Sequence, residues 1–172
     1  MELHLSTWRS GSSRPDWMAA AVSGLAAGAV LMVLELFWAA SMGGDGPWRL
    51  PHMVAALVLG ADWLETAAAQ GYAFHAGVVA AALLVHYALG MLFGLALGAL
   101  VSWWRLDSLL GRMEALGAAF GVLLYVVNFH GLAHGFPWFL DLRGGATLMA
   151  HLVFGICAAL LYWKLARRRS DA

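Results

Sequence analysis

Four apolar stretches, at residues 17–42, 75–103, 114–134 and 146–166, are each long enough to cross a bilayer, which takes about 20 helical residues. In lipid the backbone N–H and C=O groups must be satisfied within the segment, so each stretch is committed to helix. Of the 172 residues, 62% are hydrophobic and 12% charged, and beside four spans no separate soluble domain is expected. The predicted fold class is all-α: a polytopic membrane protein built as a four-transmembrane-helix bundle with a short outer interfacial helix. Residues 17–166 form its single membrane domain, with a cytoplasmic arm at 1–16 and a cytoplasmic tail at 167–172.

The basic residues predict the orientation. With the N-terminus inside, Arg9, Arg14, Arg105, Arg112, Lys164, Arg167, Arg168 and Arg169 are cytoplasmic, and only Arg49 and Arg143 lie outside. That asymmetry follows the positive-inside rule and puts both termini in the cytoplasm of a bacterial inner membrane. The nine tryptophans cluster near span ends, where an indole finds both an apolar bed and a hydrogen-bond partner. The first stretch exceeds a signal-peptide core of about 7–15 residues, so it is expected to stay as a span. Cys157 is the lone cysteine and excludes an intrachain disulfide. Zero net charge without an outlying basic patch gives no reason to expect nucleic acid as a partner.

Along the chain, Asp16 is placed to cap the first span, and SMGGDG at 41–46 breaks it. The outer segment 47–70 has helical character after Pro51, but the apolar run before Gly60 is too short to span. It is expected to lie in the outer interface or to dip in as a re-entrant segment. Small residues recur at four-residue spacing on every span: Ala20, Gly24 and Gly28; Gly90, Gly94 and Gly98; Gly117 and Gly121; Gly155 and Ala159. Such stripes let helices approach closely. Stripes on all four spans lead to the expectation of further helix partners, through self-association or as a subunit of a larger complex.

Each stripe carries one polar residue. Glu35 lies seven residues after Gly28, and Asn128 seven after Gly121; His86 precedes Gly90 by four, and His151 precedes Gly155 by four. These steps hold the pairs on one helical face. Given the alternating span directions, Glu35, His86, Asn128 and His151 all fall in the outer halves. Burying such groups in lipid is costly, so they are expected to converge on an outward-facing polar pocket. No catalytic residue is expected, because no Ser-His-Asp or Cys-His set can be assembled at one depth. His130 and His134 have the i, i+4 spacing of a metal pair, yet no carboxylate or thiolate accompanies them, so they are weak metal candidates.

The strings WRLPHMVAALVLGADWL (48–64), YVVNFHGLAHGFPWF (125–139) and HLVFG (151–155) resemble a group of small bacterial inner-membrane proteins. Some of these carry the label "sodium:proline symporter", and the later part is similar to the YagU family. The resemblance implies a four-helix inner-membrane protein, an association with acid tolerance, and a role for His151 and the Pro137-Trp138 loop. The symporter label fits poorly, since such transporters are built from inverted repeats with broken helices and no repeat is found here.

The function expected from these residues is that of a non-enzymatic integral membrane protein, an accessory or self-associating bundle. Its pocket would take protons, a quinone, a lipid or a partner side chain, with no cofactor required. One alternative is a b-type haem protein with His86 and His151 as axial ligands. Another is a small transporter or channel working as an oligomer.

Overall fold

The computed structural model describes residues 14–42, 44–104 and 110–170. The residues before 14, residue 43, residues 105–109 and the last two residues lie outside the described residues. Every regular element is a helix: α1 (Trp17–Met42), α2 (Arg49–Leu59), α3 (Ala61–Ala69), α4 (Ala76–Trp104), α5 (Leu110–Val126) and α6 (Gly145–Ser170), with no strand among the described residues. Four helices are long and apolar enough to cross a membrane: Trp17–Ser41, Ala76–Trp104, Leu110–His134 and Gly145–Arg168. The protein is a multi-pass, all-α membrane bundle.

Local chemistry sets several boundaries. The Asp16 carboxylate accepts the Ala19 N–H at 3.0 Å, which is the cap expected at the start of α1. The third span begins at Leu110 rather than 114, since Gly111 and Arg112 do not interrupt the helix and Met113 is wholly buried. The fourth span runs past its expected end at 166 into the basic tail, where Arg167 stacks over Trp163 at 4.7 Å. Cations at a helix C-terminus suit its dipole.

Packing follows the small-residue stripes. A Cβ on Gly24 would meet the Gly90 carbonyl oxygen and lie 2.8 Å from the Gly94 Cα. One on Gly98 would lie 2.7 Å from the Ala20 Cβ. On the other side, a Cβ on Gly121 would meet the His151 carbonyl oxygen, and one on Gly155 that of Gly117. Backbone thus rests on backbone in two antiparallel pairs, α1 with α4 and α5 with α6. The pairs join through α1 and α6, giving the order α4–α1–α6–α5; no substantial contact joins α4 to α5 among the described residues. The stripes are consumed inside the chain, so they carry no argument for further helix partners.

The half of the bundle nearer both termini, inner in the expected orientation, is closely packed. Ala20, Leu97, Val101, Met113, Ala159 and Tyr162 form part of one continuous buried core there. In the outer half α2 fills the gap left between α4 and α5. Its Ala55 packs with Val78 and Ala82 of α4, and its Leu57 packs with Phe129, Ala133 and Phe139. Of the two placements open to this segment, α2 takes the inserted one: His52, Met53, Ala55 and Ala56 are at most 3% exposed. The interfacial placement fits only the more exposed α3, which is separated from α2 by Gly60 at φ 92° and ψ 169°.

Candidate functional site

The third span does not end as an α-helix. Residues Val127–Gly131 form a π-helical turn and Leu132–His134 a 3₁₀ turn, after which Pro137–Leu142 makes a second 3₁₀ segment. A π turn leaves a carbonyl without its usual i+4 donor. Here the Arg143 Nε–H donates to the Phe129 carbonyl at 2.6 Å, tying the outer loop back onto the span. Asn128 sits inside this turn, and the Trp138 indole N–H donates to the Met53 carbonyl of α2 at 3.1 Å.

These elements enclose a cavity of about 800 Å³ in the outer half, and Glu35, His86, Asn128 and His151 all line it. Counted from their helix ends at 1.5 Å per residue, the four lie about 9–15 Å below the outer rim. His86 reaches across the glycine stripe, and its Nε2–H donates to the Gly28 carbonyl at 2.8 Å. The His151 Nδ1 lies 2.9 Å from the Thr147 carbonyl. A carbonyl only accepts, so Nδ1 carries the hydrogen and Nε2 of the neutral ring is an acceptor. The Asn128 Nδ2–H supplies its donor at 3.4 Å. His151 is 5% exposed, and Phe129 and Tyr125 meet it edge-on with ring centroids 5.3 and 6.2 Å away. Glu35 is half-buried, and its carboxyl takes no hydrogen bond or ion pair among the described residues.

The rest of the lining is mainly apolar, with Leu31, Leu89, Phe93 and Phe154 among its walls. At the outer rim, Arg49 joins two loops: its Nη2–H donates to Asp141 at 2.7 Å, and Nη1 lies 3.3 Å from Asp45. Sequence reasoning counted Arg49 and Arg143 only as topology markers. Their presence as the minority cations on the outer side was the available signal, but their partners, Asp141 and a π-turn carbonyl, depend on tertiary placement. The lining residues Leu34, Phe37, Trp38 and Met149 are 38%, 69%, 51% and 58% exposed. They belong to the loop-side halves of α1 and α6, so on these two helices the cavity is bordered by apolar side chains that are themselves exposed.

His130 and His134 stand apart from this site. Both are exposed; His130 lies beside Tyr125 with ring centroids 5.7 Å apart, and the His134 Nδ1–H donates to the Gly131 carbonyl at 3.0 Å. Their i, i+4 relation presumes α geometry, which the π and 3₁₀ turns replace. Among the described residues no group of three or more His, Cys, Asp or Glu could hold a metal ion with them. A haem held by His86 and His151 would need a ring nitrogen from each. The His86 Nε2 is committed to Gly28, which leaves only its Nδ1, and both His151 nitrogens have partners, so iron would have to displace a bond at His151. His52, given no role from sequence, is buried: its Nδ1–H donates to the Trp48 carbonyl at 2.8 Å and its ring packs on Tyr72.

In comparisons with known proteins, no family model matches the chain, and neither a curated protein nor a solved structure matches it.

Proposed function

We propose that this is a non-enzymatic membrane protein that holds an amphiphile drawn from the outer leaflet. The observation that carries the reading is the shape of the cavity. It is apolar along its walls, polar at one depth, strapped by Arg49 at its loop-side mouth and bordered on α1 and α6 by exposed apolar side chains, which we read as a lateral opening. Small-molecule sites combine these same features, apolar lining with a few convergent polar groups, in volumes of about 300–1,000 Å³. The lateral opening favours entry from the bilayer over entry from water. The packed inner core beneath the cavity speaks against a through-route for ions.

Purification in mild detergent, followed by solvent extraction and mass spectrometry, tests this. The wild-type protein is expected to carry a stoichiometric amphiphile. Val153→Trp, which projects an indole from a lining position, is expected to lose it. Leu123→Trp, on the exposed face of α5 and outside the cavity lining, is expected to keep it. Equal occupancy in both variants, or none in the wild type, overturns the reading.

A further inference from the structure

Resting on that reading, we infer that the occupant carries a small neutral head that both donates and accepts hydrogen bonds, such as a quinol ring or the free hydroxyl of a diacylglycerol, and that anionic phospholipids are selected against.

The inventory of uncommitted groups carries this. In the deep layer the donor edges of both histidines are already used, His86 on Gly28 and His151 on Thr147. What remains for a ligand is the Glu35 carboxyl, which has no partner among the described residues, the His86 Nδ1, an acceptor when Nε2 carries the hydrogen, and the unspent face of the Asn128 amide, an acceptor oxygen with a second N–H. Glu35, on α1, and Asn128, at the end of the third span, line the cavity from helices that are not neighbours in the row. A head lying between them meets acceptors and a donor at that depth, while the cations of the lining, Arg49 and Arg143, belong to the loop-side rim.

Charge placement points the same way. Around the rim, two arginines face two aspartates, and Arg49 is held by both of them. Arg143 spends its Nε on the Phe129 carbonyl and keeps its charge at the exposed rim, where two cations are balanced by two carboxylates. An anionic head at the rim would have to compete with Asp45 and Asp141 for Arg49. An anion sunk to the polar layer would sit beside Glu35 with no counter-charge, at a depth where an unpaired charge is costly. A neutral head avoids both costs and leaves its tail to leave through the gap lined by Leu34, Phe37 and Met149.

Delipidated full-length protein, equilibrated with an equimolar mixture of a diacylglycerol, a long-tailed benzoquinol, phosphatidylglycerol and a long-chain alkylamine, is read by native mass spectrometry. One of the two neutral species is expected to be retained at least about tenfold over phosphatidylglycerol, the scale of one hydrogen bond to a polar group in a buried site. Glu35→Leu and Asn128→Leu are expected to reduce that preference at least about fivefold while circular dichroism stays helical. Glu35→Gln, which keeps an acceptor oxygen in the same place, is expected to restore what Glu35→Leu loses. Retention of phosphatidylglycerol equal to the neutral species overturns the inference. So does dominance of the alkylamine that disappears in Glu35→Gln, since that marks a cation site. If no amphiphile is retained in any arm, the proposed function itself falls. If amphiphiles are retained without head selectivity, only this inference does.

Discussion

Gly24 and Gly111 both lie inside helices, yet opposite outcomes are expected when each gains a methyl group. The new Cβ at position 24 meets backbone of Gly90 and Gly94, which cannot swing aside, so α1 and α4 must separate. Gly24→Ala is expected to cost about 1–3 kcal/mol, the usual scale of overpacking, seen as a lower thermal midpoint in detergent. At Gly111 a Cβ meets nothing within 4 Å, and Gly111→Ala is expected to be neutral or to gain up to about 1 kcal/mol from helix propensity. Arg143 offers a second residue-scale test. Arg143→Met leaves the buried Phe129 carbonyl without its donor. About 1–3 kcal/mol of local stability should go with it, with faster hydrogen exchange confined to residues 127–134. At this scale the sequence was informative where a residue's role follows from helical phase. Each polar residue seven or four positions from a stripe glycine lies in the cavity, because seven residues are nearly two turns. The partners of His86 and Arg143 were not legible, since both are backbone carbonyls, and a carbonyl has no signature in side-chain chemistry.

Among the elements, the spans were readable and the connections were not. Span limits held to within a few residues because length and hydropathy alone decide whether a helix can cross. The outer segment was harder, since a short apolar helix looks the same on a surface as between two spans. The decision rests on the gap between α4 and α5, which exists only once the helices are ordered in space. The π turn at 127–131 was equally hidden, and it undoes the shared face that i, i+4 spacing promised for His130 and His134. Gly60 tests the break that lets α2 insert while α3 turns away. Its φ of 92° with ψ of 169° is a conformation essentially reserved for glycine. Gly60→Ala is therefore expected to cost about 1–3 kcal/mol and to loosen α2. The loosening is measurable as increased labelling of a cysteine placed at the buried Ala56, in a Cys157→Ala background.

For the whole molecule, the positive-inside bias leads us to propose that both termini face the cytoplasm and that α2 and α3 sit on the outer side. In intact cells carrying Cys157→Ala, Gly71→Cys is expected to react with a membrane-impermeant maleimide, while Gly111→Cys reacts only after the membrane is opened. Both positions have free space around them, so a lack of labelling is attributable to sidedness. The reverse pattern inverts the orientation and would move the cavity into the inner leaflet.

A recess of about 800 Å³ that opens to hydrocarbon, as we propose, is not expected to stay empty. Whatever fluid surrounds the helices will send chains into it, so the surrounding bilayer supplies part of the protein's interior filling. Melting temperature should then depend on the tail length of the solubilising detergent more steeply in the wild type than in Val153→Trp, whose indole provides its own plug.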